Sequence, residues 1–185
     1  MKTHFTKLTS MKISLIAILV FFAFGQAIAQ SEEKDEKIIT DSEAAKAAFL
    51  SDDPDMASFF EDSYGYIILP NVGKGGLGVG GASGNGVAFE QGTHIGFARM
   101  TQLTIGFQAG GQAYSEVVFF ESKDAFDRFK EGKIEMAAQV SAVAAASGAS
   151  LNAEYVEGVA VFTRTKKGLM YEASVGGQQF KFREK

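Results

Sequence analysis

The chain contains no cysteine in its 185 residues. Disulfides, thiolate metal sites and a cysteine nucleophile are therefore excluded. So is a lipid-modified cysteine near the N-terminus. Histidine is nearly as scarce: there are two, and only His94 lies beyond residue 29. With no nucleophile or carboxylate at a telling spacing, that histidine points to a structural or surface role rather than a general base. The apolar run ISLIAILVFFAFG (Ile13–Gly25) covers 13 residues, short of the roughly 20 that a spanning helix needs. A basic excess is missing too. The formal net charge is −4; residues 30–62 hold eleven acids against three lysines, and residues 63–185 hold eleven acids against twelve basic residues. Such a chain lacks the footprint expected of a nucleic-acid binder. A local basic patch for an anionic surface remains compatible with it.

The N-terminus reads as a targeting segment. The apolar run follows Lys12 and precedes Ala27-Ile28-Ala29, a small-x-small cleavage pattern. Residues 1–29 are thus expected to be a signal peptide, with Met11 as an alternative start. Cleavage would leave Gln30–Lys185, 156 residues (185 less 29), enough for one domain with a core. The expected location is the periplasm or the medium, soluble after cleavage; export without disulfides suits a bacterial periplasm. SEEKDEK (Ser31–Lys37) reads as solvated. Residues 30–40 are expected to be a flexible acidic segment, and 41–185 the folded domain.

What the chain has in abundance is glycine, 21 residues. Much of it sits in NVGKGGLGVGGASGNG (71–86), directly after the apolar run YGYIILP. Glycine permits tight turns and close backbone approach. The chain is expected to fold back on itself several times here within a β-rich domain. Gly73-x-Gly75-x-x-Gly78 has the spacing of a dinucleotide fingerprint, but more glycine follows where a helix is required. Lys74 is not followed by Ser or Thr, so this is no phosphate loop. Gly73, Gly76, Gly78, Gly80, Gly81, Gly84 and Gly86 therefore read as architecture. Asp52-Asp53-x-Asp55 resembles part of a calcium loop but lacks its glycine and distal glutamate; helix capping is the simpler account.

Elsewhere the periodicities predict short elements. Thr40 or Asp41 can cap a helix through EAAKAAFL, and Pro54 suits the first turn of a second. Ala44, Ala47, Phe49, Leu50, Met56 and Phe59 would dock them. Tyr64–Leu69 predicts a strand ending before Pro70, with further strands at Leu77–Val79, Val87–Phe89, His94–Met100 and Glu116–Phe120. Leu103–Ala109 alternates as a half-buried strand does. Glu121–Glu131 predicts a helix capped by Ser122, lined by Ala125, Phe126 and Phe129, and ended by Gly132. Ile134–Ala146 is open between helix and strand. Val156–Thr163 and Leu169–Val175 suggest a hairpin across Lys166-Lys167-Gly168, with Gln178–Phe182 closing the sheet. The expected fold is α+β: one antiparallel, glycine-rich β domain, with barrel-like closure as one form, short N-terminal helices and one or two more. Lys74, Arg128, Lys130, Lys133, Lys166 and Lys167 are the candidate anion-binding residues, if the fold gathers them on one face.

The order of these segments resembles the SYLF family, also called the Ysc84 actin-binding or DUF500 family. The resemblance rests on GYIILPNVGKGGLGVGGASGNGVAF (65–89), GFARMTQLTIGFQAGGQAYSEVVFF (96–120), DAFDRFKEGKIEMAAQVSAVAA (124–145) and VEGVAVFTRTKKGLMYEASVGG (156–177). It implies a non-catalytic lipid- or membrane-associated module without a cofactor. The expected contact is an anionic phospholipid headgroup or a bound acyl chain. An envelope protein is the alternative partner, in a purely structural role. Actin does not suit an exported bacterial-type member. The family commonly carries a tryptophan after its first glycine-rich strands. This chain has none, and Thr93–Phe97 occupies that place.

Overall fold

The computed structural model describes residues 31–132, 135–136, 143–144, 148 and 150–185. The chain divides into two compact units, Met1–Lys37 and Ile38–Lys185. In the first, residues 31–37 are helical and mostly exposed; the expected signal peptide at 1–29 lies outside the described residues. The second begins with helical residues 38–52 (α1). Thr40 and Asp41, expected to cap a helix start, lie within helical residues instead, because the helix begins earlier. The Glu and Lys of SEEKDEK are good helix formers, and they too are helical. A 3-10 turn at Pro54–Met56 and α2 (Ala57–Asp62) follow, with Pro54 in the first turn. The buried stripe is Ser42, Ala45, Phe49, Met56 and Phe60. Ala44 and Ala47, expected to dock, are exposed.

The remaining elements, in chain order, are β1 (Gly65–Glu90), β2 (Thr93–Phe120), α3 (Lys123–Lys130), β3 (Glu135–Met136), β4 (Val143–Ala144) and β5 (Val159–Glu184). The sheet runs β1-β2-β5-β3, with β4 also pairing with β5. All these pairings are antiparallel except that of β4. Among the described residues, the sheet does not close into a barrel. Three very long strands dominate it, β1, β2 and β5 having 26, 28 and 26 residues. β1 and β2 join through Gln91 and Gly92, at φ 48° and 76°. Two left-handed residues in succession form the turn whose twist matches a β-hairpin.

Two expectations fail here for one reason. The glycine-rich tract is not a series of bends but the middle of β1, and Lys166-Lys167-Gly168 is not a hairpin but the interior of β5. Both segments have a partner along β2: Lys74 lies opposite Gln112, and Gln112 opposite Gly168. Backbone pairing with β2 overrides the local turn preference of Gly and Lys-Gly sequences. Pro70 likewise does not end β1. It falls in a register shift between Leu69 and Val72 on an edge strand, where its missing N–H is tolerated. Its carbonyl accepts from the Ser115 hydroxyl at 2.9 Å.

The glycines let the long sheet fold over on itself. A Cβ on Gly86 would lie 2.1 Å from the Ile68 carbonyl oxygen, and one on Gly76 would lie 2.4 Å from the Gly80 Cα. Contacts that close leave no room for a side chain. The two halves of β1 thus cross at backbone contact, and the bend falls near residues 76–80. Positive φ among the described glycines falls at Gly92, Gly110, Gly132, Gly148 and Gly158, outside the tract. Close approach, not left-handed turning, is what this glycine supplies.

Two apolar cores result. Between the folded halves lie Ile67, Leu69, Val72, Ala82, Ala98, Met100, Val118, Phe120 and Phe180, closed by Phe126 and Phe129 of α3. On the other side of the first half, Tyr66, Ile68, Val117, Phe119, Ala160 and Phe162 pack against Ala45, Phe49, Met56 and Phe60. Successive residues of YIIL, VVFF and VAVF thus serve opposite cores. That is why these runs are apolar throughout rather than alternating. Helix α3 follows the sequence reading: the Ser122 side chain accepts from the Ala125 amide, and Ala125, Phe126 and Phe129 are buried. Gly132, at φ 67°, follows its end. Most of Ile134–Ala146 lies outside the described residues.

Candidate functional site

The structure divides the six candidate cations. Lys133 lies outside the described residues. Arg128 and Lys130 sit on α3 among acids: Arg128 Nε is 3.4 Å from Asp124, and Lys130 Nζ is 3.0 Å from Asp127 and 3.5 Å from Glu90. Burial alone would lower the Lys130 pKa, but Asp127 and Glu90 outweigh it and raise it. Its charge is firmly held and locally balanced. Arg128 also donates to the Glu157 carbonyl at 3.0 Å.

Lys74, Lys166 and Lys167 share one level of the sheet instead. Lys74 pairs with Gln112, Lys167 with the adjacent Ala113, and Lys166 occupies the register shift beside it. Lys74 has the parity of buried Val72 and acts electrostatically on Glu116. Lys166 reaches the opposite face, donating to Asn71 Oδ1 at 2.9 Å. Asn71 in turn donates to Asp41 at 3.1 Å. Lys74 and Lys166 therefore lie on opposite faces of the sheet just before its bend.

Residues 76–80 and their partners form the apex of that bend. Leu77, Val79 and Leu103 are 83%, 60% and 63% exposed. Ala82 is in the core, so Gly81 and Val79, one and three residues before it, point outward. Leu103 lies opposite Gly81, so it faces outward as a diagonal neighbour of Val79. The alternation of Leu103–Ala109 predicted a half-buried strand; at Leu103 the expected inner side is the convex, open side. Beyond the apex, Asn85, Arg99 and Lys181 form a row across three strands, and all three are exposed. Sequence reading missed Arg99 and Lys181. They are far apart in the chain, and only the β2–β5 register places them side by side.

Glu116 is the other residue missed. It is 1% exposed and accepts from Gln178 Nε2 at 3.1 Å across the folded halves. Burial, opposed by the Gln178 bond and by Lys74, raises its pKa to about 7. Asp53 was expected to cap a helix. Its side chain makes no cap bond to the 3-10 turn; it accepts from the amides of Gly148 and Ser150 at 3.1 and 2.8 Å. Burial works against the charge, but these bonds prevail and hold its pKa below the usual value. Asp53→Asn is expected to cost about 1–2 kcal/mol at pH 7, by weakening two buried hydrogen bonds to a charged acceptor. A lowered carboxylate pKa stabilises above the unfolded value and ceases to do so as pH falls through the folded one. The mutant and parent should therefore converge in urea melts at strongly acidic pH. A constant difference would assign the cost to packing.

His94 is half-buried, with its ring 5.2 Å from Phe97 and 5.9 Å from Phe89, a structural setting. Among the described residues, no group of three or more His, Cys, Asp or Glu can hold a metal ion. No described helix is long and apolar enough to cross a membrane. A shallow cleft lined by Glu61, Asp62, Ser63, Tyr64, Gln91 and Glu121 carries three carboxylates and no cation, which makes it hostile to a phosphate.

Residues 101–185 match the Ysc84 family, described as "Las17-binding protein actin regulator". The Ysc84/SYLF assignment thus holds over the C-terminal part of the chain, including all of β5. This is a class of non-catalytic modules, the one for which lipid or membrane association is expected. The chain is also similar to Beta cell expansion factor A of Aeromonas veronii. They share 29% identity over 145 residues, covering 77% of this chain and 55% of that protein. The chain therefore spans about half the length of that relative.

Proposed function

We propose that this protein is a non-catalytic, membrane-associated module of the bacterial envelope, exported to the periplasm or the medium, that contacts anionic phospholipid headgroups. The observation that carries the reading is the basic stretch where Lys74, Lys166 and Lys167 fall close in register, with Lys166 exposed. The Ysc84 match over residues 101–185 supports it. Arg128 and Lys130 contribute less, because Asp124, Asp127 and Glu90 already neutralise them. The headgroup is favoured over a bound acyl chain, since the space between the folded halves is filled by packed side chains.

A lysine near an anionic membrane surface contributes about 1 kcal/mol. Reversing Lys166 and Lys167 to Glu should therefore weaken co-sedimentation with anionic vesicles at least about thirtyfold. Binding should also fall between low and moderate salt, as screening shortens to about 10 Å at 0.1 M. Parent and variant both keep residues 1–29, so any contribution from that segment cancels in the comparison. Equal binding of parent and variant would remove these lysines from the contact. No binding of the parent to any vesicle would leave an envelope protein as the partner.

A further inference from the structure

The convex bend of the sheet has features the headgroup reading does not use. Its apex exposes Leu77, Val79 and Leu103. Val79 and Leu103 are diagonal neighbours on the open face, and an exposed apolar patch rimmed by polar residues marks an interaction site. On one slope, Arg99 and Lys181 lie directly opposite each other in the β2–β5 register. Like charges in that position destabilise a sheet. Asn85 completes the row on β1, so the row itself holds no acid to offset the pair. On the other slope stands Lys166. An arrangement that costs stability in isolation fits a surface that meets negative charge.

From these positions we infer that the bend is a wedge. Leu77, Val79 and Leu103 enter the acyl boundary of an anionic bilayer, while Arg99, Lys181 and Lys166 hold phosphates on the two slopes. The dimensions agree. Leu103 and Arg99 are four residues apart on β2, roughly 13 Å at the rise of a strand. An interfacial segment buries its apolar part about 5–10 Å into the headgroup and acyl boundary. The cations then sit in the headgroup layer while the apex is beneath it. The segments 73–81, 103–112 and 166–177 contain three lysines and a single acid, Glu172. The glycines keep the bend narrow, with Gly76 packed against Gly80. The inference rests on the proposed membrane association and names the part of the molecule that enters.

The chain has no tryptophan, so one introduced residue reports alone. Leu103→Trp and Leu77→Trp place it at the apex. Leu151→Trp, at a residue 71% exposed in the 3-10 turn Ser150–Asn152, is the control. In full-length protein with phosphatidylglycerol-containing vesicles, both apex variants should shift their emission to the blue. Lipids brominated on the acyl chain should quench them, and the control should stay as in water. Val79→Ser/Leu103→Ser should weaken vesicle binding at least about tenfold. Lys181→Gln should weaken it about fivefold while raising the melting temperature, since it relieves the like-charge pair. Vesicle binding with both apex reporters unmoved would overturn the wedge and leave the headgroup reading standing. Failure of the parent to bind phosphatidylglycerol vesicles would overturn both.

Discussion

Phe119→Ala is expected to cost about 3–5 kcal/mol of folding stability, the range for truncating a fully buried phenylalanine. Phe119 is 0% exposed and stands at the centre of an aromatic cluster. Its ring centroid lies 4.8 Å from Phe60, 5.3 Å from Phe59, 5.8 Å from Phe162 and 6.0 Å from Tyr66. All four of these approaches are edge-on or tilted rather than face-to-face, as a ring quadrupole favours. Phe119 thus joins β1, β2 and β5 to α2 at one point. A domain of this size has about 5–15 kcal/mol in total, so the loss should be evident as a shifted urea midpoint. Leu103→Ala, at the exposed apex, should change the midpoint by less than about 0.5 kcal/mol. A Phe119→Ala cost below 1 kcal/mol would mean that the helices over this face contribute little.

Glu116 gives the second large effect, and its sign depends on pH. In the unfolded chain this carboxyl ionises near 4.5; in the native chain it does so at about 7. Below pH 4.5 it is protonated in both states. Between the two values the native state holds a proton that the unfolded state releases, so stability falls as pH rises through this window. Above about 7 the penalty is complete, about 3 kcal/mol at 1.36 kcal/mol per unit. Glu116→Gln removes the ionisation and keeps the shape. It should stabilise the protein by about that amount at pH 8, and differ little from the parent at pH 4. Among the described residues, neither Glu116 Oε1 nor Gln178 Oε1 has a hydrogen-bond partner. A proton on the carboxyl adds a donor where two acceptors stand without one, which supports the neutral form. Equal stability of the two proteins across pH 4–8 would mean that water or rearrangement relieves the buried charge.

What the sequence disclosed depended on whether the deciding interaction was local. Helix α3 was legible to its cap, because Ser122, the phenylalanine stripe and Gly132 lie within one short window. The apolar runs before Pro70 and before Glu121 were legible as buried strands. The length of β1 and β5 was not. A glycine tract shows no alternation, and Lys-Lys-Gly looks like a turn until Ala113 and Gln112 of β2 are seen opposite it. The site divided in the same way. Lys74, Lys166 and Lys167 could be named from charge alone, and Arg128 and Lys130 were named with them. That Lys130 is also held by Glu90, and that Arg99 stands beside Lys181, follows from tertiary pairing no single window contains. Asp53, too, spends its charge on amides almost a hundred residues away.

The three long strands also bear on how the chain reaches this state. β1 and β2 can zip from the Gln91-Gly92 turn outward, each pair shortening the loop for the next. β5 has no such start. Its first pair, Val159 with Phe120, must be found across α3 and the segment after it, and its last joins Glu184 to Gly96. Loop closure over such separations comes before the contacts that repay it, which slows folding. Until β5 arrives, the inner edge of β2 offers unpaired backbone along its whole length. Folding should therefore show a fast hairpin phase and a slow docking phase, and the intermediate between them is the species most exposed to aggregation.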